Sequence, residues 1–352
     1  MKRTLLIGLT LALAACAPAA PAATPTADGP RTLRVMTHDS FALSEDVLAA
    51  FEAEHNVTVS VLQSGDAGSL VNKAILSGET PLADVLYGVD NAFLSRALQN
   101  EIFEAYTPIA LTGVPGEFQL DPNHRAIPVD YGDVCLNYDK AFFVERGLSL
   151  PQTLDDLLKP ELSGLLVVEN PATSSPGLAF LLATIAQYGE DGYLDYWAGL
   201  RANDVKIVDD WSTAYYTEFS GSSGQGPRPL VVSYASSPPA EVIFADPRPA
   251  DAPTASVVEP GTCFRQIEFV GILTGTPNRD LAEAWVDFML GPQVQQDLAL
   301  QMFVFPVVPD TPLPADFERY AQIPAEPATL PPDQIAANRE GWIEAWTDVV
   351  LR

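Results

Sequence analysis

From Thr32 onward, short β-prone runs alternate with stretches of helical spacing, and this alternation restricts the chain to few architectures. Thr32-Leu-Arg-Val-Met-Thr37 reads as a strand, and Leu43, Val47, Leu48 and Phe51 then recur at helical intervals. Residues 57–62 alternate as a strand, residues 69–76 have helical spacing, and Ala83-Asp-Val-Leu-Tyr-Gly-Val-Asp90 reads as a buried strand ending in a loop. Units of this kind build a mostly parallel α/β sheet with helices on both faces, and ligands sit beyond the carboxyl ends of its strands.

More than 300 residues follow position 30, and 47% of the whole sequence is hydrophobic, so the core is large enough to be shared between two lobes. An irregular, Pro- and Gly-rich region precedes Ile127-Pro-Val-Asp-Tyr-Gly132, which places the first crossing between lobes there. The return crossing falls near 263–270. Lobe 1 is thus expected over 31–129 and 265–304, and lobe 2 over 130–264, with strands at 165–169 and 230–234 and helices at 176–188 and around Leu194. Helical spacing resumes at 280–290 and 294–300. Segment 305–352 ends in an amphipathic helix whose Ile335, Trp342, Trp346 and Val350 are expected to dock on the body. Residues 220–227, Ser-Gly-Ser-Ser-Gly-Gln-Gly-Pro, read as a flexible loop.

The first sixteen residues read as a signal peptide, because Lys2 and Arg3 precede an apolar stretch too short to span a membrane in the mature protein. Leu13-Ala14-Ala15-Cys16 resembles a lipobox, in which Cys16 becomes the acylated first residue; an ordinary secretory signal exports the protein equally. Residues 17–30, rich in Ala and Pro, read as an extended tether to the membrane surface. Once Cys16 is assigned to an anchor, Cys135 and Cys263 remain. An oxidising compartment lets them form a disulfide, and two buried free thiols are the alternative.

Formal charge is −27, from 19 basic and 46 acidic residues, which makes nucleic acid a poor partner and favours a cationic ligand at long range. Asp39, Asp66 and Asp90 each stand in or beside a loop that follows a strand. They either face a common cleft or cap the next helix. Ser175 before Pro176 reads as a helix start, where backbone amides and the hydroxyls of Thr173, Ser174 and Ser175 suit an oxyanion such as a phosphate ester; a cap facing only water is the alternative. Trp211, Tyr215 and Tyr216 follow Asp209 and Asp210, and Tyr234 ends a strand. Such rings stack on flat heterocycles and attract organic cations.

The sequence carries no P-loop, no HExxH and no GxSxG, and its three histidines, His38, His55 and His124, are scattered. A binding protein is expected in place of an enzyme, with no resident cofactor and no metal.

At these residues the chain resembles the thiamine-binding proteins of ABC importers, which have the type II periplasmic binding protein fold. The resemblance is carried by Thr37-His-Asp-Ser-Phe-Ala42, Ala83-Asp-Val-Leu-Tyr-Gly-Val-Asp-Asn91, Pro128-Val-Asp-Tyr-Gly132 and Thr173-Ser-Ser-Pro-Gly-Leu178. It continues through Trp211-Ser-Thr-Ala-Tyr215, Ser233-Tyr-Ala-Ser-Ser-Pro238 and Ala337-Asn-Arg-Glu-Gly-Trp-Ile343. It implies a two-lobed, monomeric, extracytoplasmic protein that binds thiamine, thiamine monophosphate or thiamine diphosphate between its lobes and delivers it to a permease with its ATPase. Ser174 and nearby amides would meet the phosphate or hydroxyethyl end, with Trp211 and Tyr234 beside that arm and Asp66 close to the ligand. His38 stands where the family often has tyrosine, and Phe303 where it often has tryptophan. A tyrosine expected after Ser237-Pro238 is replaced by Pro239-Ala240-Glu241, so Phe244, Tyr215 or Tyr216 would have to supply that face. Asp133 replaces another expected aromatic. The adjacent pair Tyr215-Tyr216 also resembles the tyrosine pair of related ferric-iron-binding proteins, which makes iron the alternative ligand. An enzyme of thiamine or pyrimidine metabolism on the same fold is a third reading.

Overall fold

The computed structural model describes residues 29–78, 80–221 and 226–352. The signal peptide, Cys16 and nearly all of the tether lie outside the described residues, as does the centre of the glycine-rich loop, 222–225.

Eleven strands are present among the described residues: β1 Arg31–Thr37, β2 Val57–Gln63, β3 Val85–Asp90, β4 Phe103–Glu104, β5 Ile127–Asp139, β6 Leu166–Glu169, β7 Lys206–Val208, β8 Leu230–Tyr234, β9 Thr254–Val257, β10 Phe264–Leu273 and β11 Phe305–Pro306. Their main path runs β2-β1-β3-β10-β5-β8-β6-β7. β1 pairs in parallel with β2 and β3, and β6 pairs in parallel with β7 and β8. The expected parallel units therefore form two sets, one at each end of the path.

Between them lie the two longest strands, β5 and β10, which run antiparallel to each other and to β3 and β8. Each is shared: residues 127–134 of β5 face β10, and 134–138 face β8. The sheet is thus less uniformly parallel than βα alternation implies, because a chain that leaves one parallel set and returns must lay down an opposed pair. The sequence marks both strands, one at Ile127-Pro-Val-Asp-Tyr-Gly132 and one at Phe264–Val270. Cys135 and Cys263 join them, with an S–S distance of 2.09 Å.

Helices cover the strands. Ser175–Ala202 is interrupted at Gly189, whose φ of +72° no ordinary residue adopts cheaply, so it is two consecutive helices matching the segments expected at 176–188 and near Leu194. The helix Pro332–Val350 buries Ile335, Trp342, Trp346 and Val350, and Trp346 meets Trp197 edge-on at 5.4 Å between ring centroids. No helix among the described residues is long and apolar enough to cross a membrane.

Candidate ligand-binding site

The carboxyl ends of β1 and β2 meet where the Asp39 and Gly65 backbones bond (N to O, 3.1 Å) and Gly65 N–H donates to Asp39 Oδ1 (2.8 Å). This brings His38, Asp39 and Asp66 to one wall of a cavity of about 270 Å³. Ser175 and Pro176 begin the helix on a second wall, Trp211, Tyr215 and Tyr216 come from the loop and turn after β7, and Tyr234 ends β8. Glu268, from the middle of β10, forms the floor with His38, and Phe244, Met302 and Phe303 complete the rim. Seven aromatic or imidazole rings and three carboxylates converge here. Among the described residues, none of those lining the cavity is a lysine or arginine.

The rings are held in place by polar contacts. Trp211 donates from Nε1 to Ser233 Oγ (2.9 Å) and stacks on Tyr215 with centroids 4.9 Å apart. Tyr234 donates to Gln266 Oε1 (3.1 Å), and Gly132 leaves it room, since a Cβ there would lie 2.9 Å from the Tyr234 ring. Phe244 and Phe303 meet edge to face at 5.5 Å, and Phe244 is 69% exposed. An exposed phenylalanine at a cavity mouth is a ring without a stacking partner on its outer side.

His38 is buried, and its Nε2 faces Glu268 Oε1 at 3.5 Å while Nδ1 accepts from Ser40 N–H at 3.2 Å. Burial is the largest single influence and works to lower its pKa, but the Glu268, Asp66 and Asp39 carboxylates together outweigh it and raise it. Burial pushes Glu268 up, and His38 together with hydrogen bonds from Tyr87 and Asp130 reverses that to leave it lowered. Asp66 is raised by burial, against the Ser174 hydroxyl, the Ala67 N–H and His38. Tyr234 and Tyr215 are raised well above the ordinary phenol range, first by burial and then by the carboxylates Glu268 and Glu241 respectively. Both phenols are therefore neutral hydrogen-bonding groups and poor tyrosinate donors.

Of the residues singled out from the sequence, His38, Asp39, Asp66, Ser175, Trp211, Tyr215, Tyr234 and Phe303 line the cavity. Asp90 does not. It is fully buried behind Ser175, accepting from that hydroxyl and from the Ala92 N–H at 2.6 Å, so it serves the loop-capping role. Ser174 is also fully buried and is not among the residues lining the cavity; its hydroxyl lies near Asp66. Asp133, where an aromatic was expected, forms a two-pronged pair with Arg265 at 2.8 and 2.9 Å outside the cavity lining. Glu268 was missed. Its signal is the period-two pair Gln266 and Glu268 inside the apolar strand Phe264–Leu273, which puts two polar groups on one face. Among the described residues, no group of three or more His, Cys, Asp or Glu side chains is arranged to hold a metal ion.

Comparison with known proteins agrees with this architecture. Residues 80–327 match the model of the bacterial extracellular solute-binding protein family. The chain is 32% identical over 328 residues to the thiamine-binding periplasmic protein of Salmonella typhimurium, covering 91% of this chain and 94% of that one. It is 31% identical to the protein of the same name from Escherichia coli, again over 91% of this chain and 94% of the relative. A solved periplasmic thiamin binding protein superposes with a TM-score of 0.80 at 28% identity, over 92% of this chain and 99% of that structure. With these matches spanning nearly the whole body, the chain belongs to the bacterial extracellular solute-binding protein family and has the two-lobed type II periplasmic binding protein fold.

Proposed function

We propose that this protein is the exported binding subunit of an ABC importer and that its cavity captures thiamine. The observation that carries the ligand class is the pairing of Trp211, Tyr215, Tyr234 and Phe303 with Asp39, Asp66 and Glu268, in a cavity lined by no basic side chain apart from His38. Such a site suits a flat, positively charged heterocycle, which gains both ring stacking and carboxylate attraction. The relatives named for thiamine binding support that choice of cation.

The two parallel sets joined by β5 and β10 support a lobe division at the crossings, with closure around the ligand creating the surface a permease recognises. Acylation of Cys16, left as the first residue once the signal peptide is removed, would hold the subunit at the membrane as a monomer. Capture without turnover is the expected chemistry. The ferric alternative draws no support from Tyr215, which is buried on Trp211 with its phenol kept neutral by burial and Glu241.

Isothermal titration of the purified protein with thiamine tests this reading. One-to-one binding at micromolar concentration or tighter is expected, and the absence of any binding overturns it.

A further inference from the structure

Three acidic side chains lie in one row across the middle of the sheet. In the β3·β10 and β5·β10 registers, Glu268 stands opposite Asp90 on one side and Asp130 on the other. The carboxyls of Asp130 and Glu268 are within hydrogen-bonding reach of each other. The Tyr87 hydroxyl lies 2.5 Å from Asp130 Oδ2 and 2.9 Å from Glu268 Oε2. A phenol has one hydrogen, so it cannot fully satisfy two ionised carboxylates, and two buried carboxyls in mutual contact hold a proton between them. Asp130 is fully buried, and its Oδ1 has no hydrogen-bond partner among the described residues, which suits the neutral acid and not the anion.

The row is poor in counter-charge. His38 faces Glu268, with Asp66 and Asp39 beyond it, and Arg339 lies toward Asp90. Tyr234 from β8 and Met302 bring no positive charge, and among the described residues no lysine, arginine or histidine pairs with Asp130. Glu268 is the member of the row that lines the cavity. A cation entering there supplies the charge that the shared proton otherwise provides, and so favours loss of that proton.

Resting on the assignment of a cationic ligand, we propose that capture exchanges charge for charge: the ligand cation settles over Glu268, and the proton shared by Asp130 and Glu268 leaves to solvent. Asp130 does not line the cavity; it acts through Glu268 as a positioning residue that sets the pH dependence of binding.

Calorimetric titration with thiamine in buffers of different ionisation enthalpy, from about pH 6 to about pH 8.5, counts the protons exchanged. Expected is release of about half a proton or more per thiamine, with affinity rising about threefold or more per pH unit within that range. Asp130→Asn keeps the size and a donor to Glu268 but has no proton to titrate; it should cut the release by about half or more and flatten the affinity profile. Tyr87→Phe removes the phenol hydrogen that both carboxyls use, and should move the profile to higher pH while release persists. A purely structural role for either residue instead predicts the same loss of affinity at every pH. No net release in the parent overturns the proposal while leaving thiamine binding intact. Release unchanged in Asp130→Asn does the same and assigns the proton to His38 or Asp90. Absence of thiamine binding overturns both the ligand assignment and the exchange.

Discussion

His38 Nε2 lies 3.5 Å from Glu268 Oε1, with both side chains buried, so the end of the first strand is tied electrostatically to the middle of the return strand β10. Glu268 is itself in a crowded acidic setting. Tyr87 donates its hydroxyl to Asp130 Oδ2 at 2.5 Å and to Glu268 Oε2 at 2.9 Å, and burial together with Glu268 raises Asp130 well above the carboxylate range. The imidazole, together with hydrogen bonds from Tyr87 and Asp130, favours the ionised form of Glu268 against its burial.

Gly88 is what gives His38 its place. Its φ is +99°, and a Cβ there would fall 2.2 Å from His38 Cδ2. Gly88→Ala must strain the backbone and expel the imidazole, leaving buried Glu268 without its His38 partner. The expected result is a loss of about 3 kcal/mol or more in urea unfolding together with weakened thiamine binding. A variant as stable as the parent would contradict the packing described.

Asp90 predicts a pH dependence. Burial raises its pKa from 3.8 to about 6, against hydrogen bonds from Ser175 and the Ala92 and Phe93 amides. A raised folded-state value means that the native protein holds a proton that the unfolded chain releases. The resulting stabilisation is complete below about pH 4 and is lost as pH rises through about 6, a change of about 3 kcal/mol. Asp90→Asn keeps acceptors for the loop amides and cannot titrate. Its stability relative to the parent should therefore improve between about pH 4.5 and pH 7, measured as urea midpoints, and an identical pH slope in the two proteins would refute the assignment.

Much of this was legible in the sequence because strands, helix starts and loop aspartates leave local marks. The pocket residues His38, Asp39, Asp66 and Trp211 follow strand ends and Tyr234 is itself the end of β8, where an α/β sheet places its ligands. What sequence spacing does not carry is direction. Ser174 and Ser175 are neighbours, but Ser174 is buried near Asp66 whereas Ser175 lines the cavity and donates to Asp90, which does not. Glu268 was hidden because its neighbours make β10 read as a wholly buried crossing strand. Its partner His38 is 230 residues away in sequence, and β3, paired with β1 on one side and β10 on the other, brings the two together.

Cys135 and Cys263 close a loop of 128 residues where the start of β10 pairs with β5. A cross-link of this span restricts the unfolded chain and contributes about 2 to 5 kcal/mol. The double variant Cys135→Ser, Cys263→Ser should unfold at lower urea concentration by that amount. Adding a reductant should shift the parent to the midpoint of the variant and leave the variant unmoved; a parent indifferent to reductant would show the bond to be absent or without energetic consequence.

Trp211 supplies the most direct optical check on the site. The protein has five tryptophans, and Trp197, Trp285, Trp342 and Trp346 are all buried in the core, whereas Trp211 alone lines the cavity. Its indole stacks on Tyr215 on one side and meets Tyr216 edge-on at 5.4 Å, with Nε1 tied to Ser233, so a cationic ring entering the cavity must change its surroundings without moving it far. Intrinsic fluorescence should change saturably with thiamine in the parent. Trp211→Phe preserves an aromatic face but loses the Nε1 donor and the larger π surface, and should weaken binding by about 1 to 2 kcal/mol, roughly tenfold in Kd. In that variant the fluorescence change should vanish while calorimetric binding persists at reduced affinity. A full fluorescence response in Trp211→Phe would mean that the ligand is sensed from another tryptophan and binds elsewhere.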